Sequence, residues 1–196
     1  KTIKRFLSTD ELKYLLITMD SEIKGKTVGV KRKQFMITTM IKLMLYTGVR
    51  PNESAGAFRD EFDLNAGTWK LPAFRPYRWN DEEHIRRTKN GREHLIPLPD
   101  QAVKMINEIV NTGPYSPWLF PVRKFKGIPK TPHMQPPKTM LSRIFKETSS
   151  GTVSPHSLRR TFATQIEELG FADRPLVGRI LNHTPQDVTS KHYLGG

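Results

Sequence analysis

A short block of strand signals in the middle of the chain is enclosed by helical patterns, and this arrangement constrains the fold most. Before the block, apolar residues recur every three or four positions over residues 33–46, and after it they do so over residues 102–109. This order predicts an α+β fold that is mainly helical and contains one small antiparallel sheet. Because the chain has 196 residues, of which 36% are hydrophobic, we expect a single domain over residues 1–196.

Three short segments predict the sheet. Residues 68–71, 84–88 and 94–98 are short runs bounded by turn residues, and Asn90-Gly91 lies between the second and the third. Asn-Gly is the strongest short hairpin signal, since both residues tolerate the left-handed backbone that a tight hairpin turn needs. We therefore predict a three-stranded antiparallel sheet in which the last two strands form a hairpin with Lys89 at its tip.

Capping residues predict where helices begin and end. Ser8 and Glu11 form a capping box, so the first helix should begin near Thr9, and the basic stretch 24–33 should separate it from the second helix. Gly48 suits the end of the second helix, and Pro51 suits the first turn of a short helix through Phe58. Further helices are predicted from residue 138, from Pro155 to Gly170 with Leu158, Phe162, Ile166 and Leu169 inward, after Asp173, and over residues 188–193.

The segment 114–137 contains seven prolines and several basic residues. Proline removes a backbone donor and restricts its neighbours, so we expect an irregular surface connection outside the core, suited to facing DNA.

Charge points to a polyanionic partner. The chain has 32 Lys and Arg against 19 Asp and Glu, a formal net charge of +13, which favours nucleic acid. It has no cysteine, which excludes disulfides, thiolate metal sites and thiol redox chemistry. No apolar run is long enough to span a bilayer and no secretory signal is evident, so we expect a soluble, cytoplasmic protein.

The segment SPHSLRRTF combines two residues suited to binding a phosphate. His156 and Arg159 lie three positions apart at a predicted helix start, so both project to one side beside free backbone N–H groups. The alternative is structural: His156 caps the helix and Arg159 pairs with a surface acid.

Four other candidates each have an ordinary structural explanation. Arg50 in TGVRPNE, with Glu53 three residues later, matches a surface ion pair as well as an anion site. Lys89 is typical of a solvated turn, and His183 in ILNHTPQ of a helix C-terminal cap. Tyr193 in KHYLGG could simply pack the tail against the domain.

The order of these residues resembles the tyrosine recombinases of the phage-integrase type. In that family a T-G-x-R-x-x-E-like segment, a hairpin lysine, an H-x-x-R helix, a second histidine or tryptophan and a terminal tyrosine form the active site. This chain fills those positions in order. Its spacing between the second histidine and the tyrosine is ten residues, one more than is usual, and a neighbouring His192 is the alternative to test. The resemblance assigns the positions to Arg50, Lys89, His156, Arg159, His183 and Tyr193, with Glu53 in support.

The resemblance implies a role for each residue. Tyr193 would attack the phosphodiester, Arg50 and Arg159 would clamp the phosphoryl oxygens, and His183 would donate a hydrogen bond to one of them. His156 would act as general base and Lys89 as general acid for the departing 5′ oxygen. The product would be a 3′-phosphotyrosine, formed without a cofactor or metal ion.

The resemblance also implies a biological setting. We expect the fold of an integrase catalytic domain, with the preceding core-binding domain absent from this chain. The partners would be double-stranded DNA attachment sites, three further protomers in a tetramer, and accessory DNA-bending and excision factors. The activity would be integration or excision of a prophage or genomic island in a bacterial cytoplasm, close to the nucleoid.

Three alternatives stay open on the sequence. A type IB topoisomerase shares the constellation but relaxes supercoils, and the short length and the form of TGVRPNE disfavour it. A non-catalytic DNA-binding protein would use the same basic residues for phosphate contacts. An RNA-binding protein would also be basic, but the aromatic-rich strands of an RRM are not seen.

Overall fold

A computed structural model describes residues 5–21, 28–122, 129–146 and 152–183. The helices are α1 (Thr9–Ser21), α2 (Val28–Thr47), α3 (Pro51–Ala55), α4 (Asp100–Thr112), α5 (Lys138–Ile144), α6 (Pro155–Glu168) and α7 (Arg174–Ile180). The strands are β1 (Phe62–Asp63), β2 (Thr68–Leu71), β3 (Phe74–Trp79), β4 (Glu82–Arg87) and β5 (His94–Pro97), with a 3₁₀ turn (Arg59–Glu61) before β1. The predicted mainly helical α+β fold is confirmed.

Helix α2 forms the centre of the core. Met40, Ile41, Leu43 and Met44 are each fully buried, which requires neighbours on most sides of the helix. Helices α6 and α4 pack against it, and Trp69 joins the same apolar cluster from the sheet. The C-terminal end of α2 lies next to α6, since the carbonyl of Gly48 accepts a hydrogen bond from Arg159.

The structure contains a three-stranded antiparallel sheet, as predicted, but its order is β1-β2-β5, so that β1 takes the place of the predicted segment 84–88. Thr68 pairs with Pro97 and Leu71 with His94, so β5 runs back along β2 although 22 residues separate the two strands in the chain. The prediction that Asn90-Gly91 joins two paired strands is wrong. Strand β4 pairs with β3 in a separate two-stranded sheet, and the segment after it leads to β5 in the other sheet.

The turn of the β3–β4 hairpin is Asn80-Asp81. Both residues have positive φ, 53° and 63°, as a two-residue turn of the primed type requires. Strand β3 was missed because its exposed positions carry Pro76 and Arg78, which strand patterns disfavour. Both Asn80-Asp81 and Asn90-Gly91 have sequences that favour a hairpin turn. Only Asn80-Asp81 joins two paired strands, because β4 pairs with β3.

A buried carboxylate anchors this hairpin to the three-stranded sheet. Glu61 accepts hydrogen bonds from Arg86, from Trp69 Nε1 at 3.1 Å and from the Phe58 amide at 3.3 Å. Burial raises the pKa of Glu61, and the positive charge of Arg86 opposes that shift. On the surface, Arg75 adds a two-pronged contact to Asp60, with both N–O distances 2.7 Å.

Two helix boundaries differ from the prediction. Helix α2 begins at Val28, because the basic residues 31–33 are good helix formers that keep their charges in solvent or at the helix edge. Helix α3 stops at Ala55, three residues earlier than predicted, since Phe58 forms a β-bridge with Trp118.

Two burial predictions were also wrong. Within the described part of segment 114–137, Trp118, Leu119 and Phe120 are buried, so this stretch contributes to the core despite its prolines. Leu169 is 64% exposed, because α6 ends at Glu168 and the chain turns away from the core at Gly170. The predicted helix over residues 188–193 lies outside the described residues. None of the helices in the described ranges is both long and apolar enough to cross a membrane.

Candidate active site

Arg50 lies at the start of α3, where Glu53 holds it from two sides. Glu53 Oε2 accepts from the Arg50 backbone amide at 3.0 Å, and Oε1 accepts from Arg50 Nη1 at 3.1 Å. Glu53 is buried, with 7% of its surface exposed, so this is not the solvated surface pair of the structural alternative. Pro51 begins the helix, and Gly48, with φ +64°, ends α2 immediately before. The short turn thereby places Arg50 at the end of α2.

Arg159 joins three segments of the chain. It is buried in α6, and its Nη1 donates to the carbonyl of Gly48 while Nη2 donates to the carbonyl of Leu181 at 2.7 Å. Nη2 also lies 3.1 Å from His183 Nε2. Arg159 therefore fastens the segment before Arg50 and the segment carrying His183 to the same side of α6.

The two arginines are close enough to repel each other. Burial, and next the positive charge of Arg50, lower the pKa of Arg159 to about 10, while Glu53 opposes the shift. The guanidinium therefore stays charged at neutral pH. Two buried or half-buried cations with one nearby carboxylate leave positive charge that an anion can balance.

The contact with Arg159 defines the hydrogen-bonding role of His183. Arginine carries only donors, so His183 Nε2 acts as the acceptor and the ring proton lies on Nδ1. In this arrangement Nδ1 is the one hydrogen-bond donor of the ring. The prediction that His183 merely caps α7 is incomplete: its amide does bond to the carbonyl of Gly178, but its ring meets Arg159.

His156 lies in the first turn of α6 and is exposed. Partial burial of its ring lowers the pKa of His156, and the positive charges of Arg160, Arg159, Arg50 and Lys89 lower it further, in that order. Three of these cations, Arg159, Arg50 and Lys89, are predicted site residues that lie near enough to His156 to act on its pKa. A neutral imidazole at neutral pH is available to accept a proton.

Lys89 is exposed in the loop that follows β4. The prediction that Lys89 lies at the tip of a hairpin is wrong. The residue lies in the segment that connects β4 of one sheet to β5 of the other. Its charge acts on His156, which places it on the same side of the molecule. The structure thus brings together five of the six predicted residues, and the sixth, Tyr193, lies outside the described residues.

One further histidine belongs to this region and was not singled out from the sequence. His94 begins β5 and is half-buried. Burial lowers its pKa, Arg159 and Arg50 also lower it, and Glu53 and a hydrogen bond with the Ile180 backbone raise it. Its position at the start of a strand made it look like an ordinary strand residue, and no sequence signal marks its contact with α7.

The arrangement suits binding and reaction of one phosphodiester. Arg50 and Arg159 provide planar sets of hydrogen-bond donors, and the start of α6 adds backbone N–H groups near His156. A neutral histidine and an exposed lysine supply a proton acceptor and a proton donor. The remaining component is a nucleophile, and the predicted one, Tyr193, lies outside the described residues.

The chain is similar in sequence to known proteins. Over 149 residues the chain is 29% identical to "Prophage integrase IntA" of Escherichia coli (strain K12), covering 76% of this chain and 32% of the relative. Over 194 residues it is 27% identical to "Tyrosine recombinase XerA" of Pyrococcus furiosus, covering 96% of this chain and 57% of the relative. The chain thus spans less than two thirds of the length of these curated relatives.

Solved structures share the fold. The integrase of transposon Tn1549, in complex with circular intermediate DNA, matches with a TM-score of 0.69 at 20% identity, covering 94% of this chain and 60% of that one. XerA recombinase matches with a TM-score of 0.62 at 21% identity, covering 91% and 56%. The family model described as "Phage integrase family" matches residues 5–195. With that match over nearly its whole length, the chain belongs to the phage integrase family.

Proposed function

We propose that this chain is the catalytic domain of a site-specific DNA recombinase that cuts and rejoins DNA through a 3′-phosphotyrosine on Tyr193. The observation that carries the proposal is the gathering of Arg50, Arg159 and His183 around one point by the hydrogen bonds of Arg159. Family membership and relatives named as integrases and tyrosine recombinases support it.

The two arginines would bind the scissile phosphate and stabilise the charge that develops on its oxygens. Glu53 positions the Arg50 side chain, and the Gly48 and Leu181 carbonyls position that of Arg159. Both guanidinium groups are therefore oriented before DNA arrives, which lowers the reorganisation needed in the transition state. His183 would donate from Nδ1 to one phosphoryl oxygen.

The covalent step exchanges one ester for another. His156 takes the phenolic proton as Tyr193 Oη forms a bond to phosphorus, the bond from phosphorus to the 5′ oxygen breaks, and Lys89 gives a proton to that oxygen. The low pKa of His156 keeps it able to accept a proton near neutral pH. The energy of the ester is conserved, so a 5′ hydroxyl can reverse the step, and the mechanism as proposed uses neither ATP nor a metal ion.

The biological role extends the same proposal. Relatives include a prophage integrase and an integrase of phage P4, and one solved neighbour is a recombinase bound to its difH substrate. By analogy, the whole protein would act as a tetramer on paired attachment sites and integrate or excise a mobile element. A core-binding domain and accessory DNA-bending factors would belong to that assembly.

Covalent trapping tests the chemistry. The protein is incubated with a pool of nicked DNA duplexes of random sequence, in which cleavage near the nick releases a short fragment and leaves the enzyme attached. Wild-type protein should form an adduct that survives denaturation, and sequencing the attached DNA then defines a substrate. Tyr193→Phe should abolish the adduct because the attacking hydroxyl is gone.

A matched variant tests whether the neighbouring His192 is needed for attack. His192→Ala should still form the adduct, since the resemblance assigns attack to Tyr193 rather than to His192. A wild-type protein that binds DNA but traps none would favour the non-catalytic DNA-binding protein. Supercoil relaxation without strand exchange between two sites would favour the topoisomerase alternative.

A further inference from the structure

The loop that carries Lys89 is closed at its base by local hydrogen bonds. Thr88 Oγ1 donates to the carbonyl of Arg92 at 2.9 Å, and the Gly91 amide donates to the carbonyl of Thr88 at 3.1 Å. The Arg92 amide donates to Asn90 Oδ1 at 3.2 Å. The loop therefore has a defined shape of its own, although it joins strands of two different sheets.

A pair of asparagines docks this loop on the end of α7. Asn90 Nδ2 donates to the Asn182 carbonyl at 2.8 Å and to Asn182 Oδ1 at 2.7 Å. In return, Asn182 Nδ2 lies 3.4 Å from Asn90 Oδ1 and 3.5 Å from the Arg92 carbonyl. The Asn90 amide group thus contacts both the main chain and the side chain of one residue.

Asn182 occupies a backbone conformation that suits this contact. Its φ is 51°, a left-handed conformation that asparagine tolerates better than most residues. Asn182 directly precedes His183, whose ring meets Arg159. The two sides of the docking contact therefore carry neighbouring members of the candidate site: Lys89 next to Asn90, and His183 next to Asn182.

From this geometry we infer that Asn90 and Asn182 form a latch that positions Lys89 for proton delivery to the 5′ oxygen. The inference rests on the proposed function. Lys89 is exposed, and its ammonium group is carried on a flexible four-carbon chain. The fraction of time that the ammonium group spends near the 5′ oxygen therefore depends on where the loop holds the Lys89 backbone. Asn90 and Asn182 are positioning residues, because they act through Lys89 and need not touch DNA.

Two substitutions separate the parts of the latch. Asn90→Ala removes both donor contacts, and Asn182→Gly removes the side-chain acceptor but keeps the backbone carbonyl and tolerates positive φ. Cleavage of the nicked duplex should slow about ten- to hundredfold in Asn90→Ala, less than the roughly 10²–10⁴-fold that a general acid contributes, because Lys89 itself is still present. The loss in Asn182→Gly should be smaller, and the double variant should be no slower than Asn90→Ala.

A change of leaving group distinguishes proton delivery from a general structural effect. In a duplex with sulfur in place of the 5′ bridging oxygen, the leaving thiolate is a much weaker base and needs no proton donor. Asn90→Ala should then cleave nearly as fast as wild type. In a Lys89→Ala background, Asn90→Ala should add no further loss on the oxygen substrate.

Three results overturn the latch: wild-type cleavage by Asn90→Ala on the oxygen substrate, equal losses on oxygen and sulfur substrates, or a further loss in the Lys89→Ala background. A wild-type protein that forms no adduct with either substrate contradicts the proposed recombinase activity instead. The two failures are therefore distinguishable.

Discussion

Arg159 donates a hydrogen bond to the carbonyl of Gly48, which lies 111 positions earlier in the chain and two residues before Arg50. The same guanidinium group contacts Leu181 and His183. One buried side chain thereby connects the end of α2, the middle of α6 and the segment after α7. The residue proposed to bind phosphate also holds together the segments that carry its partners.

Replacing this arginine with lysine tests the structural part of that role. We expect Arg159→Lys to lower the free energy of unfolding, because an ammonium cannot reach the Gly48 and Leu181 carbonyls together. A buried group left without its partner costs about 1–3 kcal/mol. Urea unfolding measures the change. Arg160→Lys is the matched control and should shift stability by less than about 0.5 kcal/mol. Equal effects of the two substitutions would contradict the connecting role.

The charges around His156 predict a pH effect on cleavage. Positive charge from Arg160 lowers the pKa of His156, so Arg160→Gln should raise it. Since the base must be deprotonated, the rate of adduct formation falls on the acidic side, and in Arg160→Gln that fall should begin at higher pH. The rate is measured from acid to neutral pH on the trapped duplex. Arg174→Gln, which removes a surface arginine paired with Glu167, should leave the profile unchanged. An identical profile for Arg160→Gln would count against His156 as the base.

Gly48 combines positive φ with close packing, and the two effects can be separated. An added Cβ would lie 2.6 Å from Leu181 Cδ2 and would overlap the ring of Phe162. Gly48→Ala should therefore cost the left-handed backbone strain of about 1–2 kcal/mol plus about 1–3 kcal/mol for overpacking. Gly170→Ala has a similar φ of +73° but meets nothing within 4 Å, so it should show only the strain. Thermal or urea unfolding compares them, and similar losses would show that packing at Gly48 is unimportant.

The buried carboxylate of Glu61 should be among the most sensitive positions for stability. Glu61→Gln leaves the Arg86 guanidinium without its charged partner in a buried setting, and breaking such a pair costs roughly 3–5 kcal/mol. Asp60→Asn removes a neighbouring carboxylate whose side chain is 68% exposed, and should cost less than about 1 kcal/mol. Urea unfolding of both variants measures the two losses of stability. If Glu61→Gln is as mild as Asp60→Asn, the hairpin is not anchored through this contact.

Capping signals in the sequence correctly predicted where α1 and α7 begin. Ser8 and Glu11 make the reciprocal capping contacts, and Asp173 accepts from the Leu176 amide as a helix cap. Such contacts join residues three apart, so the sequence alone specifies them. The order of motifs also supplied the set of candidate residues, because it resembled a known family.

Contacts between residues far apart in the chain could not be predicted from the sequence. Asn90-Gly91 has the composition of a hairpin turn, yet β4 pairs with β3 and Asn90 contacts Asn182, 92 positions later. The neighbourhood of His94 and Arg159 likewise joins distant segments. By itself the sequence determined the helices, their caps and the residue types able to handle a phosphate. Only the tertiary structure decided which strands pair and which side chains meet, because those contacts join residues far apart in the chain and depend on how the folded elements pack.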